Sequence, residues 1–382
     1  EFRRVLFRSW GGGLARSALG VLISTGLCFV VVTFSKQASF GGFDPLKYSS
    51  CAFAWLAAPV RWLEFIQRRF VVVSTLIYTH TACFEHQPGP HHPESPERLS
   101  AVLQALKTPD FSELIWRDAP MASDEQIMLN HTAEYLAHVR SVSPAQGLRA
   151  LDAGDTIMSP GTLEAAMRGV GAACAGVDEV VAGRADNVFC ATRPCGHHAE
   201  ADRAMGFCVF NQAAIAAQHA RKQHGLARVA VLDFDVHHGN GTQNSFYDHP
   251  ELFYGSCHQG QFYPGTGARH ETGVANNICN IPFMRGVGSE AFRDAMTRVM
   301  LPALRGFAPD LLIISAGFDA HELDPLGGLQ FSDDDYHWIT VELMKIADES
   351  AQGRVVSVLE GGYSLEGLAT GTAAHVRALM RH

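Results

Sequence analysis

An α/β fold, with a parallel sheet covered by helices on both faces, is what this chain of 382 residues predicts. Two observations lead there. From Val71 onward, short β-branched runs alternate with longer segments of helical period, the pattern that builds parallel sheets. Each cluster of polar residues follows directly on one of those runs, where open α/β sheets bind their ligands. Composition agrees, since 47% hydrophobic and 18% charged residues supply a large core and exclude global disorder. A net charge of −9 argues against direct nucleic-acid binding but leaves open a protein substrate with basic tails. Nine scattered Cys, with no C-x-x-C pair, fit reduced thiols in a cytoplasmic enzyme better than a disulfide scaffold.

Residues 1–70 stand apart as an N-terminal extension. Arg3, Arg4, Arg8 and Arg16 precede Ser17–Phe34, an eighteen-residue run without a charge. A signal peptide, a membrane anchor and non-native upstream sequence are three open readings of it, the last preferred. The domain expected to carry function is 71–382. Val72–Tyr78 predicts its first strand, and Gly89–Leu99 a Pro-rich loop entering a helix at Ser95-Pro96-Glu97. His91-His92 is taken as part of that loop. Leu129–Val142 and Thr162–Val181 have helical patterns. Strand Asn187–Ala191 then runs into TRPCGHHAE, where His197 and His198 follow a Gly that permits a sharp turn. Helix Gln212–His224 leads into Val229–Leu232, and Leu252–Ser256 is a further strand. The aromatic loop Phe262-Tyr263-Pro264-Gly265 comes next, then helix Phe292–Phe307 and the apolar strand Asp310–Ala316. Helix Tyr336–Ser350, strand Val355–Leu359 with Glu360-Gly361-Gly362-Tyr363 after it, and helix Leu368–Arg381 finish the chain.

The densest chemistry lies in VAVLDFDVHHGNGTQ, 229–243. On an extended backbone Asp233, Asp235 and His237 share a face. Burying two carboxylates and an imidazole is costly unless a cation sits among them. Taken alone, this D-x-D-x-H divides evenly between a metal site and a solvated turn. The other strand-end clusters shift the balance. Asp235, His237 and Asp319 form an O, N, O set of three with an open position, the pattern of a catalytic rather than a structural zinc. His197 and His198 become candidates for proton transfer, and Asp233 for holding one imidazole in its tautomer. Tyr363, on a Gly-Gly turn, is a candidate donor to an oxyanion. Together these residues suit metal-assisted hydrolysis of an amide or ester.

The ordered motifs RPCGHHA, DFDVHHGNGTQ, SAGFDAH with DPLGG, and EGGY, preceded by HPESPERL, resemble the histone deacetylase superfamily from about Val71 to the C-terminus. They point to its class II-like bacterial and acetylpolyamine amidohydrolase branch. The resemblance implies a single α/β domain with a mostly parallel eight-stranded sheet, shared with arginases. It also implies zinc-dependent hydrolysis of N-acetyl or acyl amides on lysine or polyamines. Asp235, His237 and Asp319 match the zinc ligands, His198 the general base, His197 its neighbour and Asp233 the partner of His197. Asn240 stands where some members carry Asp and the class II-like branch carries Asn, which removes a negative charge near His198 and disfavours its protonated form. Tyr363 matches the catalytic tyrosine. Phe207, Phe262 and Tyr263 match aromatics of the acyl-lysine channel, and Asp233 with Ser256 a structural potassium site. Two alternatives remain at this level: an arginase-like metal hydrolase, and an inactive acetyl-lysine-binding module. A homo-oligomer is compatible with either, and the sequence leaves the choice between acetyl-lysine protein and acetylpolyamine open.

Overall fold

The computed structural model describes residues 74–381 and, before them, the backbone of strands Arg3–Leu6, Arg16–Ser24 and Leu27–Ser35. These three pair antiparallel, so the uncharged run 17–34 is extended rather than helical where it is described. The other readings of residues 1–70 lie outside the described residues. Among these, no helix is long and apolar enough to cross a membrane. By contacts the chain divides into two compact units, Glu1–Phe70 and Val71–His382.

In the second unit the strands are β1 (Thr75–Thr79), β2 (Ile115–Asp118), β3 (Asn187–Cys190), β4 (Val229–Asp233), β5 (Leu252–Gln259), β6 (Ile278–Phe283), β7 (Leu311–Ala316) and β8 (Val355–Leu359). They form one eight-stranded sheet in the order β6-β5-β4-β7-β8-β3-β1-β2. Every neighbouring pair is parallel. The central strands are the most apolar and are buried throughout. Their period-two alternation feeds two cores: Val229 and Val231 of β4 face one, Ala230 and Leu232 the other.

The principal helices are α1 (Pro96–Leu106), α2 (Thr162–Val181), α3 (Gln212–His224), α4 (Asp333–Ser350) and α5 (Leu365–Leu379). Ala172, Ala173 and Val177 of α2 and Ala213, Ala216 and Ala217 of α3 pack the Val229 side. Small side chains there let the two helices approach the sheet closely. Leu99 of α1, Leu343 of α4 and Leu368 of α5 pack the opposite side. The helix expected over Phe292–Phe307 is broken into Ser289–Ala295, a π-turn at Met296–Met300 and Leu301–Phe307. Two strands escape the sequence pattern. β2 is an edge strand with an exposed face, and β6 carries Asn280 and Pro282 within its apolar run. Pro282 is tolerated because β6 is the other edge.

Candidate active site

The loops leaving the C-terminal ends of β3, β4, β7 and β8 carry the polar clusters, and the fold brings them together. β4 stops at Asp233, so extended alternation is not what gathers Asp233, Asp235 and His237. The chain instead folds through successive side-chain-capped turns. Asp235 N donates to Asp233 Oδ1 at 3.1 Å, and His237 N donates to Asp235 Oδ1 at 2.9 Å. From the end of β7, Asp319 reaches the same point: its Oδ1 accepts from Val236 N at 2.8 Å. Gly361, just after β8, donates its N–H to Asp235 Oδ2 at 2.8 Å. A Cβ on Gly361 would lie 2.3 Å from Asp319 Oδ2 and 2.6 Å from Asp235 Oδ2, so only Gly lets that backbone pass.

His237 Nδ1 then lies 3.1 Å from Asp235 Oδ1 and 3.0 Å from Asp319 Oδ2. The donor atoms of these three side chains all fall within 4.8 Å of one another. Both aspartates are buried. Burial opposes a charge on His237, but hydrogen bonds to the two carboxylates outweigh it and hold its pKa up at about 10. Burial, together with the charge of Asp235, pushes Asp319 up to about 7. Two buried carboxylates facing one imidazole, one held ionised by His197 and His237 and the other pushed toward its neutral form, suit a divalent cation in the same place. The mixed O, N, O set, with backbone amides steadying the carboxylate oxygens, fits zinc.

His197 and His198 lie beside this cluster, their ring centroids 4.1 Å apart. Their surroundings drive them in opposite directions. His197 Nδ1 contacts Asp233 Oδ2 at 2.9 Å, and its Nε2 is 3.8 Å from Asp235 Oδ1. Burial opposes protonation, yet Asp235 and Asp233 prevail and raise its pKa well above the ordinary imidazole value. For His198, burial and the charges of His197 and His237 push the pKa well below it. Asn240 fixes the tautomer. Its Nδ2 donates to Glu200 Oε1 at 2.7 Å and to His198 O, which leaves Oδ1 to accept from His198 Nδ1–H at 2.9 Å. Nε2 of His198 is therefore the basic nitrogen, and the ring sits 5.9 Å from that of His237.

Aromatic rings wall this chemistry. Phe262 stacks on His237 at 5.2 Å, and Tyr263 meets His198 edge-on at 5.1 Å. Phe207 packs 6.0 Å from Tyr363, and its backbone sits in the left-handed region (φ 67°) after Gly206. A Cβ on Gly206 would strike His198 Cδ2 at 2.3 Å. Tyr363 borders an open cleft of about 920 Å³ whose walls include His92, Pro96, Leu148 and Leu365. His92, expected only as loop, packs its ring 4.7 Å from Phe207.

Ser256 and Asp233 are register partners on β5 and β4. His258 Nε2 lies 3.0 Å from Gly267 O, the position of an N–H donor, so Nδ1 accepts the Ser256 hydroxyl at 2.8 Å. That leaves the Ser256 oxygen lone pairs, beside Asp233, as donors suited to a hard cation. His238 turns away from the cluster, its Nε2 3.0 Å from Gln243 Oε1 and its Nδ1 2.8 Å from Thr266 Oγ1.

Several supporting residues were not apparent in the sequence. Glu360 is buried and accepts from Gly196 N at 2.7 Å, His197 N at 3.2 Å and Ser315 Oγ at 3.0 Å. It ties the His-His loop to β7 and β8, and burial raises its pKa to about 7. Asp324 accepts from the backbone N–H groups of Tyr363 and Ser364. Arg98 donates to Gly362 O at 2.6 Å and lies 5.0 Å above the Tyr363 ring. Glu94, fully buried, holds Arg98 and Arg193 in place. The signal for Glu360 was an acidic residue directly after the largely apolar strand β8.

A family model described as the histone deacetylase domain matches residues 92–379. A histone deacetylase-like amidohydrolase of Pseudomonas aeruginosa is 39% identical over 313 residues, covering 76% of this chain and 82% of that protein. A probable deacetylase of Archaeoglobus fulgidus is 34% identical over 299 residues, 77% of this chain and 82% of that one. The crystal structure of the HDA15 HD domain superposes with a TM-score of 0.76 at 33% identity, over 82% of this chain and 89% of the other.

Proposed function

Because the chain belongs to the histone deacetylase family, we propose that it hydrolyses N-acetyl or related acyl amides on lysine side chains or polyamines at a zinc ion held by Asp235, His237 and Asp319. Hydrolysis of acetyl amides is the activity of the family as a whole. The observation that carries the finer reading is the meeting of three metal-type donors within 4.8 Å with an adjacent pair of imidazoles. Zinc, when bound, supplies the Lewis acidity that polarises an acyl carbonyl and acidifies water.

The chain's own residues do the rest. His198, neutral and with its Nδ1–H held by Asn240, takes a proton from the attacking water on Nε2. His197, its Nδ1 held by Asp233, stabilises positive charge beside the reacting centre and passes a proton toward the departing amine. The Tyr363 hydroxyl donates to the oxyanion, worth about 10²–10³ in rate for a single donor. Phe207, Phe262 and Tyr263 exclude water from a slender alkyl chain and orient it. Asp233 and Ser256 hold a potassium ion that steadies the β4–β5 end.

A substrate panel tests this reading: an acetyl-lysine peptide, N-acetylputrescine and N-acetylspermidine with zinc-loaded protein. Turnover of at least one is expected, and the preferred one names the substrate. Zinc-loaded protein inert toward all three and toward longer acyl-lysines would overturn it.

A further inference from the structure

A second group of metal-type donors lies at the opposite end of the strands, where α2 and α3 run out. Asp178 belongs to the last turn of α2, His224 ends α3 just before β4 begins, and His219 lies on α3 five residues earlier. Both imidazoles aim at one carboxylate oxygen: His219 Nε2 is 2.8 Å from Asp178 Oδ1, and His224 Nε2 is 2.6 Å from it. The rings stand 5.7 Å apart and 73° to each other, so they approach that oxygen from different sides. His219 is buried, while His224 and Asp178 are partly open.

We propose that Asp178, His219 and His224 form a second divalent-metal site, of the zinc class, independent of the catalytic centre. Three arguments converge on a cation. Two imidazoles and one carboxylate are a borderline N, N, O set that favours zinc or its neighbours over magnesium or calcium. Two helices end here with their carbonyl, negative dipole ends towards the site, which favours positive charge. The donor atoms already lie within 4.8 Å of one another, and Asp178 and His224 are open enough for water to complete the shell. Zinc–ligand bonds of about 2.0–2.2 Å need only small side-chain shifts from this arrangement. The ion clamps α2 to α3, which pack together on one face of the sheet, so its role is structural.

The experiment is a zinc titration of the full chain against a competing chromogenic chelator, with metal content measured after removal of excess ion. Wild type is expected to hold one more equivalent than His224→Ala or the isosteric Asp178→Asn, both of which keep wild-type turnover. Micromolar zinc beyond the catalytic equivalent should raise the melting temperature of wild type but not of either variant. Equal zinc content in wild type and both variants would overturn the proposal, leaving only Asp178 hydrogen-bonded to His219 and His224. Because the comparison reads the equivalent lost with His224 or Asp178, it stands or falls separately from the catalytic assignment.

Discussion

Tyr363 and Asn240 are the side chains on which the chemistry turns most visibly. Tyr363 is placed by Asp324 below its backbone and Arg98 above its ring. Its hydroxyl can be removed without disturbing either contact, so Tyr363→Phe should lower turnover about 10²–10³-fold with zinc content intact; turnover at the wild-type rate would remove the oxyanion role. Asn240→Asp tests the tautomer lock by pH. A carboxylate at His198 Nδ1 favours the imidazolium and raises its pKa. The base must be neutral to work, so the acid limb of the kcat/KM profile should move to higher pH, and an unmoved limb would contradict the assignment. His237, Asp235, His197, His198 and Tyr363 were legible in the sequence because each follows an apolar strand and has no ordinary reason to be buried. Glu360, Arg98 and Asp324 were not. Their roles come from long-range contacts, such as Arg98 with Gly362, that no local spacing encodes.

Elements matter here through how closely they let backbones approach. The β8–Gly361–Gly362–Tyr363 turn passes directly over the two aspartates, and a methyl group at Gly361 has no room. Gly361→Ala should therefore lose zinc and turnover while the circular dichroism of the sheet and helices is unchanged; a variant with full zinc would show that this approach is not needed. Helix α1 contributes Arg98, whose guanidinium is buried against Glu94. Arg98→Met leaves Glu94 still paired with Arg193 and His86 but strips Gly362 O and Glu360 O of their buried donor, so it should cost about 1–3 kcal/mol in urea unfolding. The pH dependence of this network has a definite sign. Although burial works against the Glu94 carboxylate, Arg193, His86 and Arg98 hold its pKa well below the ordinary value. Its contribution is thus complete above the unfolded pKa of about 4.3 and is lost as pH falls below it. Central strands and caps were readable from apolar runs and from Ser95-Pro96 at the start of α1. β2 and β6 were not, because edge strands tolerate polar faces and proline.

For the molecule as a whole, a fully parallel sheet sends its catalytic loops to one end and its helix termini to the other. The first end gathers the Asp235, His237 and Asp319 donors, the second the Asp178 group. Residues 71–382 form a compact unit of their own, and a chain restricted to them should fold and keep its turnover; loss of activity on that truncation would assign residues 1–70 a part in the site. The parallel architecture was readable from the alternation of elements, whereas the eight-strand count came only with the family resemblance, since two edge strands are silent in the pattern. The central claim is that Asp235, His237 and Asp319 hold the metal on which deacetylation depends. Zinc content and acetyl-lysine amide turnover of Asp319→Ala, measured on the same preparation, test it most directly. One zinc equivalent fewer than wild type and no detectable turnover are expected, while full zinc content or retained hydrolysis would contradict the assignment.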